Sequence, residues 1–300
     1  MKTTVLLAAF LAVPLLSSSL LAQEGKADAT KSSAQSKLPK LPKLIQSIAN
    51  AVRDEKAPKK LHAFRAQLRL EFKLENSKGK SILQPKIWYR SKPLALRVEI
   101  EANRNQIEYV RNGRQLWLKS QGQVQDLSRK KEYQRDREQA NDYLRIARLV
   151  PRLIFPDQIL QAAAEPKGPG LVEWRINKRF PLREAYELSF VNPAGDNYPL
   201  QSLRDHDGPQ QLAMLIDTKS FLPLAYRYYA MDAVSGKKIS ALEELIFIRP
   251  RSYAGMQLPT QWIKRVEDPK THKMQQAQHW YLEDFTPNPE FSPLVFSKPR

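Results

Sequence analysis

Residues 64–74 read Phe-Arg-Ala-Gln-Leu-Arg-Leu-Glu-Phe-Lys-Leu, and this stretch decides the fold class. Every second side chain is apolar, and the side chains between them are charged or carry an amide. Because successive side chains of a β-strand point to opposite faces, a period of two predicts a strand with one buried and one solvated face. Such strands are typical of an antiparallel sheet that is covered on one side.

The same alternation recurs along most of the chain. In the first half it predicts further strands over 87–89, 94–101, 107–111 and 115–119. In the second half it predicts strands over 172–176, 184–191, 211–217, 223–231, 238–248, 258–267 and 274–285. Asn112-Gly113 and Ser235-Gly236 are hairpin signals, and 250–255 is predicted to be a loop. The order indicates one curved antiparallel sheet.

Helical patterns interrupt the strands twice. Near the N-terminus, apolar side chains recur every three or four residues and share one helical face; they are Leu41, Leu44, Ile45, Ile48, Ala49 and Val52. Halfway along the chain, a helix pair is predicted over 143–150 and 157–164, separated by Pro151. Asp142 can cap the first of these helices, and Pro156 can open the second.

The N-terminal residues have the layout of a secretory signal peptide. Lys2 supplies a positive charge, an apolar run covers 5–16, and small residues lead to Ala22, after which we place the cleavage. The alternative is a retained N-terminal anchor. Residues 23–38 are predicted to be a flexible linker, and 39–300 to be one domain. The expected location is therefore the periplasm.

Composition narrows the chemistry and the partners. The chain has no cysteine, which excludes disulfides, thiolate metal sites and a lipid-modified N-terminal cysteine. Its net charge of +18 favours anionic partners such as a membrane surface, phospholipid head groups or acidic polymers. An exported protein rarely meets nucleic acid, so we expect none as a partner. We also expect a monomer.

The sequence offers no constellation that predicts catalysis. Asp205-His206-Asp207 is a local acid–base cluster, but it stands beside Gly208-Pro209 and is typical of a polar turn. The remaining histidines, His62, His272 and His279, lack the spacing of a zinc site. We therefore predict no catalytic residue, no metal and no cofactor. A hydrolase is the alternative, with His206 as its candidate residue.

Several short motifs resemble those of the periplasmic lipoprotein carriers of the LolA type, which include LolB and LppX. The resemblance runs from Leu41 to Phe296. It rests on Leu61–Gln67 after the first helix, Trp88-Tyr89-Arg90-Ser91-Lys92-Pro93, Asn112-Gly113-Arg114-Gln115-Leu116-Trp117, and Leu215-Ile216-Asp217 followed by Leu222-Pro223.

The resemblance implies an unclosed β-barrel whose apolar cavity lies beneath a helical lid: mainly β (α+β), with an N-terminal helix and a central helix pair. Lys92 stands nearest the family's functional arginine, whose planar fork a lysine cannot form. Alternation and the resemblance together give our predicted ligand-binding residues, which are Leu68, Leu70, Trp88, Lys92, Leu96, Val98, Trp117, Tyr226 and Tyr228.

Two functions fit these features best. The first is a non-catalytic carrier or chaperone that buries the acyl chains of a lipid or an acylated protein. The second is an envelope module that binds an anionic polymer or membrane surface through its basic charge. The carrier hypothesis expects a cavity beneath the helices, and the module hypothesis expects binding that weakens with salt.

Overall fold

The computed structural model describes residues 38–73, 80–102, 105–128, 131–162, 167–192, 210–231, 235, 238–268, 271 and 273–300. The predicted signal peptide over 1–22, the linker except Leu38, the Asp205-His206-Asp207 cluster and His272 lie outside the described residues. The signal peptide, the linker and the domain division therefore stay predictions.

Within the described residues, thirteen strands form one antiparallel sheet, which is not closed into a barrel. The strands are β1 (Ala63–Lys73), β2 (Lys80–Arg90), β3 (Ala95–Ala102), β4 (Asn105–Asn112), β5 (Gln115–Ser120), β6 (Gln123–Asp126), β7 (Lys167–Trp174), β8 (Arg183–Asn192), β9 (Gln210–Asp217), β10 (Pro223–Met231), β11 (Lys238–Tyr253), β12 (Met256–Glu267) and β13 (Met274–Pro287). Their spatial order is β6-β5-β4-β3-β2-β1-β13-β12-β11-β10-β9-β8-β7. The β1–β13 pair therefore joins the two halves of the chain.

The predicted strands are all present, with two differences. A sixth strand, β6, follows the first five, and the predicted loop over 250–255 is wrong because β11 runs to Tyr253. Pro250 stands opposite Pro259 of β12, so the two residues that lack an N–H donor face each other in the ladder. The hairpin at Asn112-Gly113 is confirmed. Gly113, with φ +59°, supplies the left-handed conformation of its turn.

The part of the chain that the structure describes also contains three α-helices: α1 (Leu41–Val52), α2 (Gln134–Ile154) and α3 (Pro156–Ala162). The first matches the predicted amphipathic helix, and Pro156 opens α3 as expected. The prediction that Pro151 separates two helices is wrong, because α2 continues through it and Phe155 N–H donates to the Pro151 carbonyl (2.9 Å). Asp142 consequently lies inside α2 and does not cap it.

The sheet has an inner face, which carries the main hydrophobic core, and an outer face. Strand alternation puts Phe64, Ala66, Leu68 and Leu70 of β1 on the inner face, beneath the helices. The apolar side of α1 joins the same core through Leu44, Ile48 and Val52. The outer face is covered largely by charged side chains, such as Arg227 and Arg265 on either side of Glu244. The core therefore lies between the sheet and its helices.

An ion pair joins α1 to α3. Arg53, at the end of α1, donates two hydrogen bonds to the Asp157 carboxylate (2.6 and 2.8 Å) and a third to the Ile154 carbonyl (2.7 Å). The two side chains are only 17% and 10% exposed, so solvent screens the pair weakly. This contact holds the end of α2 and the start of α3 against α1.

We predict that Asp157→Ala lowers the free energy of unfolding by roughly 2–4 kcal/mol, because it leaves the largely buried Arg53 guanidinium without its carboxylate. Urea denaturation followed by circular dichroism measures the change. The control is Asp284→Ala, which removes the partner of the exposed Arg65 (52% and 56% exposed) and is expected to change stability by less than about 1 kcal/mol. Equal effects of the two variants would show that the α1–α3 contact contributes no more than an exposed pair.

Candidate functional site

Six of the nine predicted ligand-binding residues meet on the inner face. Leu68, Leu70, Leu96, Val98, Tyr226 and Tyr228 belong to the main core, each with at most 1% of its surface exposed. Strand pairing sets them out in two groups, one on β1 and β3 and the other on β10. In this conformation the helices and neighbouring strands cover them, so a ligand reaches them only if the cover moves.

The other three residues lie elsewhere. Trp88 stands opposite Arg65 of β1 and Arg97 of β3 in the strand pairing, so its side chain lies with theirs on the outer face. The Arg97 guanidinium is 5.8 Å from the Trp88 ring centroid. Trp117 also lies on the outer face, because its neighbours Leu116 and Leu118 are the inner-face residues of β5. Lys92 is exposed in the turn between β2 and β3. The sheet thus separates both tryptophans from the other six residues.

A polar stripe on α2 lies close to the inner face. Asn141, Arg148 and Arg152 are seven and four residues apart and so share one side of the helix. Asn141 Oδ1 accepts a hydrogen bond from Arg111 Nη2 of β4 (2.8 Å), and Arg148 hydrogen-bonds the Tyr89 hydroxyl. The helix that covers the core therefore brings cationic groups into it.

The electrostatics show how strongly these groups are desolvated. Burial, together with the charge of Arg148, lowers the pKa of Arg152 to about 10, although the nearby tyrosine hydroxyls oppose that shift. Burial followed by the charge of Arg148 also lowers the pKa of Arg111. Burial raises the pKa of Tyr226 and Tyr228, and Arg152 partly offsets it. These residues therefore form one electrostatically connected cluster between helix and sheet.

Several polar atoms of this region have no hydrogen-bond partner within the part of the chain that the structure describes. They are the Tyr226 and Tyr228 hydroxyls, Arg111 Nε and Trp262 Nε1. Both tyrosines are fully buried and Trp262 is 2% exposed. Each of these groups can donate a hydrogen bond, and a buried donor without an acceptor costs about 1–3 kcal/mol. The described residues therefore provide too few hydrogen-bond acceptors for these buried donors.

A buried ion pair borders the cluster. Lys264 Nζ lies 3.4 Å from Glu243 Oε2, with side chains 5% and 0% exposed. Glu243 is the ladder partner of Tyr228, and its charge further raises the pKa of that tyrosine. The pair is thus part of the same inner-face surface as Tyr226 and Tyr228.

Sequence reasoning missed these charged residues, although alternation marks some of them. Arg111 has the parity of Ile107 and Tyr109, and Lys264 that of Trp262, so each is a charge at an inward position of a strand. On α2, the spacing of Arg148 and Arg152 signals a common face. Which helix residues meet which strand residues depends on how α2 packs, and no local pattern specifies that.

A second surface feature is a basic and apolar loop between β7 and β8. Phe180 and Leu182 are 42% and 53% exposed. Exposed basic side chains surround them, namely Arg175, Lys178, Arg179 and Arg183. Because neighbouring strands are antiparallel, the turns that carry Lys92 and Lys219 lie at the same end of the sheet. We call the loop over 175–183 the basic loop. Its six exposed residues are Arg175, Lys178, Arg179, Phe180, Leu182 and Arg183.

Other kinds of site find little support. Within the described ranges, no three His, Asp or Glu side chains are grouped as a metal site requires. A pocket of about 200 Å³ is lined by polar residues and by Gly122, and it includes none of the predicted ligand residues; the lining is Asn105, Gln106, Glu108, Lys119, Gln121 and Gly122. No helix in the described part of the chain is both long and apolar enough to cross a membrane.

Comparison with known proteins bears on the fold. No family model matches the sequence, and neither does any curated protein. A LolA superfamily protein from Nitrosomonas europaea is similar in structure at 13% identity and TM-score 0.46, over 86% of this chain and 97% of that one. An outer membrane lipoprotein-sorting protein domain from Vibrio parahaemolyticus is similar at 10% identity and TM-score 0.44, over 85% of this chain and 95% of that one. The lipoprotein LppX from Mycobacterium tuberculosis is similar at 14% identity and TM-score 0.27, over 64% of this chain and 90% of that one.

At these identities the likeness concerns the fold alone. The unclosed antiparallel sheet with its helical cover, which the sequence motifs led us to expect, is the fold observed. The resemblance of the sequence motifs to the LolA-type carriers implies this same arrangement.

Proposed function

We propose that this protein is a non-catalytic carrier or chaperone in the periplasm that binds the acyl chains of a lipid or an acylated protein. One observation carries the proposal: the inner face of the sheet is mainly apolar, and in the described part of the chain three helices supply its cover. Each buried methylene contributes about 0.8 kcal/mol, so one long acyl chain on this surface supplies useful affinity. Export after cleavage at Ala22 and a monomeric domain over 39–300 are parts of the same proposal.

The inner face is closed in this conformation, so binding requires α2 to move as a lid. Its contact with the sheet includes unpartnered donors and desolvated arginines, which weaken closure relative to an all-apolar contact. Phe155 alone links α2 to α3, and α3 is held to α1 by the Arg53–Asp157 pair. Because Arg53 also donates to the Ile154 carbonyl, this arrangement favours movement of α2 about its C-terminal end while α1 and α3 stay in place.

Locking the lid tests the mechanism. The chain has no native cysteine, so Arg111→Cys with Asn141→Cys gives one addressable pair, at positions whose side chains now touch (2.8 Å). A short bis-methanethiosulfonate linker should join α2 to β4 and abolish uptake of a fluorescent fatty-acid probe by delipidated protein. Reduction of the linker should restore uptake, because it frees the lid.

The same molecule before linking and after reduction is the control for the two substitutions. Uptake that is equal in the linked and reduced states would contradict lid opening. Failure of the unmodified protein to take up any acyl probe would contradict the carrier function itself.

The basic loop favours a second candidate function, the binding of an anionic membrane surface. Cations attract anionic head groups, contributing about 1 kcal/mol each near such a surface, and exposed aromatic and aliphatic side chains can enter the head-group region. The loop combines both within nine residues, with Phe180 and Leu182 exposed beside four basic side chains. Arg265 Nη2 donates to the Ile176 carbonyl (2.6 Å) and holds the start of the loop to the outer face.

We expect the protein to co-sediment with vesicles containing phosphatidylglycerol, and Lys178→Gln with Arg179→Gln to weaken that binding by about thirtyfold. Phe180→Ser should weaken the part that persists at high salt. The matched control is Lys80→Gln with Lys86→Gln, which removes two exposed charges from β2, outside the loop.

If the loop and control variants weaken vesicle binding equally, net charge rather than the basic loop is responsible. If the unmodified protein fails to sediment with anionic vesicles at low salt, this second function is excluded.

A further inference from the structure

Positive charge is concentrated at one end of the sheet, the rim at which β1 begins and β2 ends. Because neighbouring strands are antiparallel, every second connection lies at this rim. The connections there that the structure describes in full are 53–62, 91–94, 113–114, 175–182, 218–222 and 254–255. They contain ten Lys or Arg and two Asp or Glu, so 31 residues carry eight of the eighteen net positive charges of the chain. We call these six segments the basic rim.

The cations of the basic rim differ from those on the outer face of the sheet in their partners. On the outer face, Arg69, Arg97 and Arg227 each form ion pairs with glutamates. At the rim, nine cations are exposed, and none of them forms an ion pair within the described part of the chain. They are Lys56, Lys59, Lys60, Lys92, Arg114, Arg175, Lys178, Arg179 and Lys219. Unpaired charges of one sign on one surface favour an anionic partner.

Two apolar side chains of the rim indicate a lipid bilayer as that partner, rather than an acidic protein or polymer. Phe180 and Leu182 are exposed among the cations of the basic loop. A solvated acidic polymer offers them no apolar environment. The head-group region of a bilayer accepts such side chains and holds anionic lipids beside them. A bilayer therefore matches both the charge and the apolar groups of the rim.

The cover of the inner face is attached to the sheet along the same rim. The Arg53–Asp157 pair, which holds the end of α2 and the start of α3 to α1, begins the first rim segment. Nearer its N-terminus, α2 contacts the sheet where Asn141 accepts a hydrogen bond from Arg111, one residue before the end of β4. The helix thus lies along the rim, and lifting it opens the inner face at the charged end of the sheet.

We propose that the basic rim docks on an anionic lipid bilayer and that the acyl ligand passes between the bilayer and the inner face during this contact. The inference rests on the proposed carrier function and specifies its route. Because α2 lifts at the docked rim, the acyl chain moves from one apolar environment to the other without crossing water. The contact extends beyond the basic loop to the segment before β1 and to the turns that carry Lys92 and Lys219.

Transfer kinetics test this route. The full mature protein is loaded with a fluorescent fatty acid and mixed with vesicles that carry a quenching lipid, and the loss of fluorescence gives the transfer rate. Contact transfer predicts a rate that rises with vesicle concentration, is faster with phosphatidylglycerol than with phosphatidylcholine vesicles, and falls with salt. Release through water predicts a rate that depends on none of these, because dissociation of the fatty acid from the protein limits it.

Substitutions outside the basic loop show whether the whole rim takes part. Lys59→Gln with Lys60→Gln removes two exposed rim charges and should slow transfer to phosphatidylglycerol vesicles by about thirtyfold. The matched control is Lys86→Gln with Lys273→Gln, which removes two exposed charges from β2 and from the segment before β13. It should slow transfer by less than about threefold. Neither pair should change the affinity for the fatty acid without vesicles, because all four side chains are exposed.

The cysteine pair at positions 111 and 141 shows where the ligand leaves. Protein that is loaded first and linked afterwards should release no probe to phosphatidylglycerol vesicles, because α2 is then fixed to β4 beside the rim. Reduction of the linker should restore transfer. Transfer from the linked protein would show that the acyl chain leaves by a path that α2 does not cover, and would overturn the proposed route.

The outcomes distinguish rim docking from the carrier function. A transfer rate that is independent of vesicle concentration and composition overturns rim docking and keeps the carrier. Equal slowing by the rim and control variants assigns the effect to net charge and overturns the role of the rim. Binding of soluble polyglutamate without binding of vesicles makes an acidic protein the partner and overturns the bilayer. Failure to take up the fatty acid overturns the carrier and the transfer route together.

Discussion

The fold depends on one constraint: a sheet whose strands alternate apolar and charged residues must have one face covered, and an unclosed sheet cannot cover that face by itself. In this protein the cover is helical. Leu44, Ile48 and Val52 of α1 and the apolar side of α2 complete a core that the strands leave open. Arg53 and Asp157 hold the cover together, and the site lies where cover and sheet meet.

The same constraint explains the outer face. Charged side chains there pair across neighbouring strands, as Arg97 of β3 does with Glu108 of β4. Because opposite charges on adjacent strands stabilise a sheet without needing a cover, most of this face stays solvated. Where small apolar residues such as Ala225 and Ile246 reach the outer face, Trp174 and Ile176 at the start of the basic loop pack with them.

Much of the fold could be predicted from sequence because alternation is a local signal. It identified every strand in the described part of the chain except β6, and with the motifs it indicated one unclosed sheet under a helical cover. It failed where tertiary packing overrode a local sequence rule. Pro151 was expected to end a helix, yet α2 continues because its apolar side chains on both sides of the proline are buried in the core.

The site was predicted less well, for a physical reason. Trp88 and Trp117 are large aromatics in strands, a pattern that favours a ligand role, but their parity assigns them to the outer face. Arg111 and Lys264 carry the inward parity but do not look like parts of an apolar pocket. The meeting of Arg111 with Asn141 also depends on how α2 lies on the sheet, which involves residues thirty positions apart.

The contact between α2 and the sheet therefore sets how easily the cover opens. The Tyr226 and Tyr228 hydroxyls and Arg111 Nε are buried at this contact without a hydrogen-bond partner in the described part of the chain, and each such donor costs about 1–3 kcal/mol. A cover built of apolar side chains alone would not carry that cost. Opening exposes these donors to water and recovers part of the cost, so the polar groups of the contact lower the free energy of opening that the proposed carrier function requires.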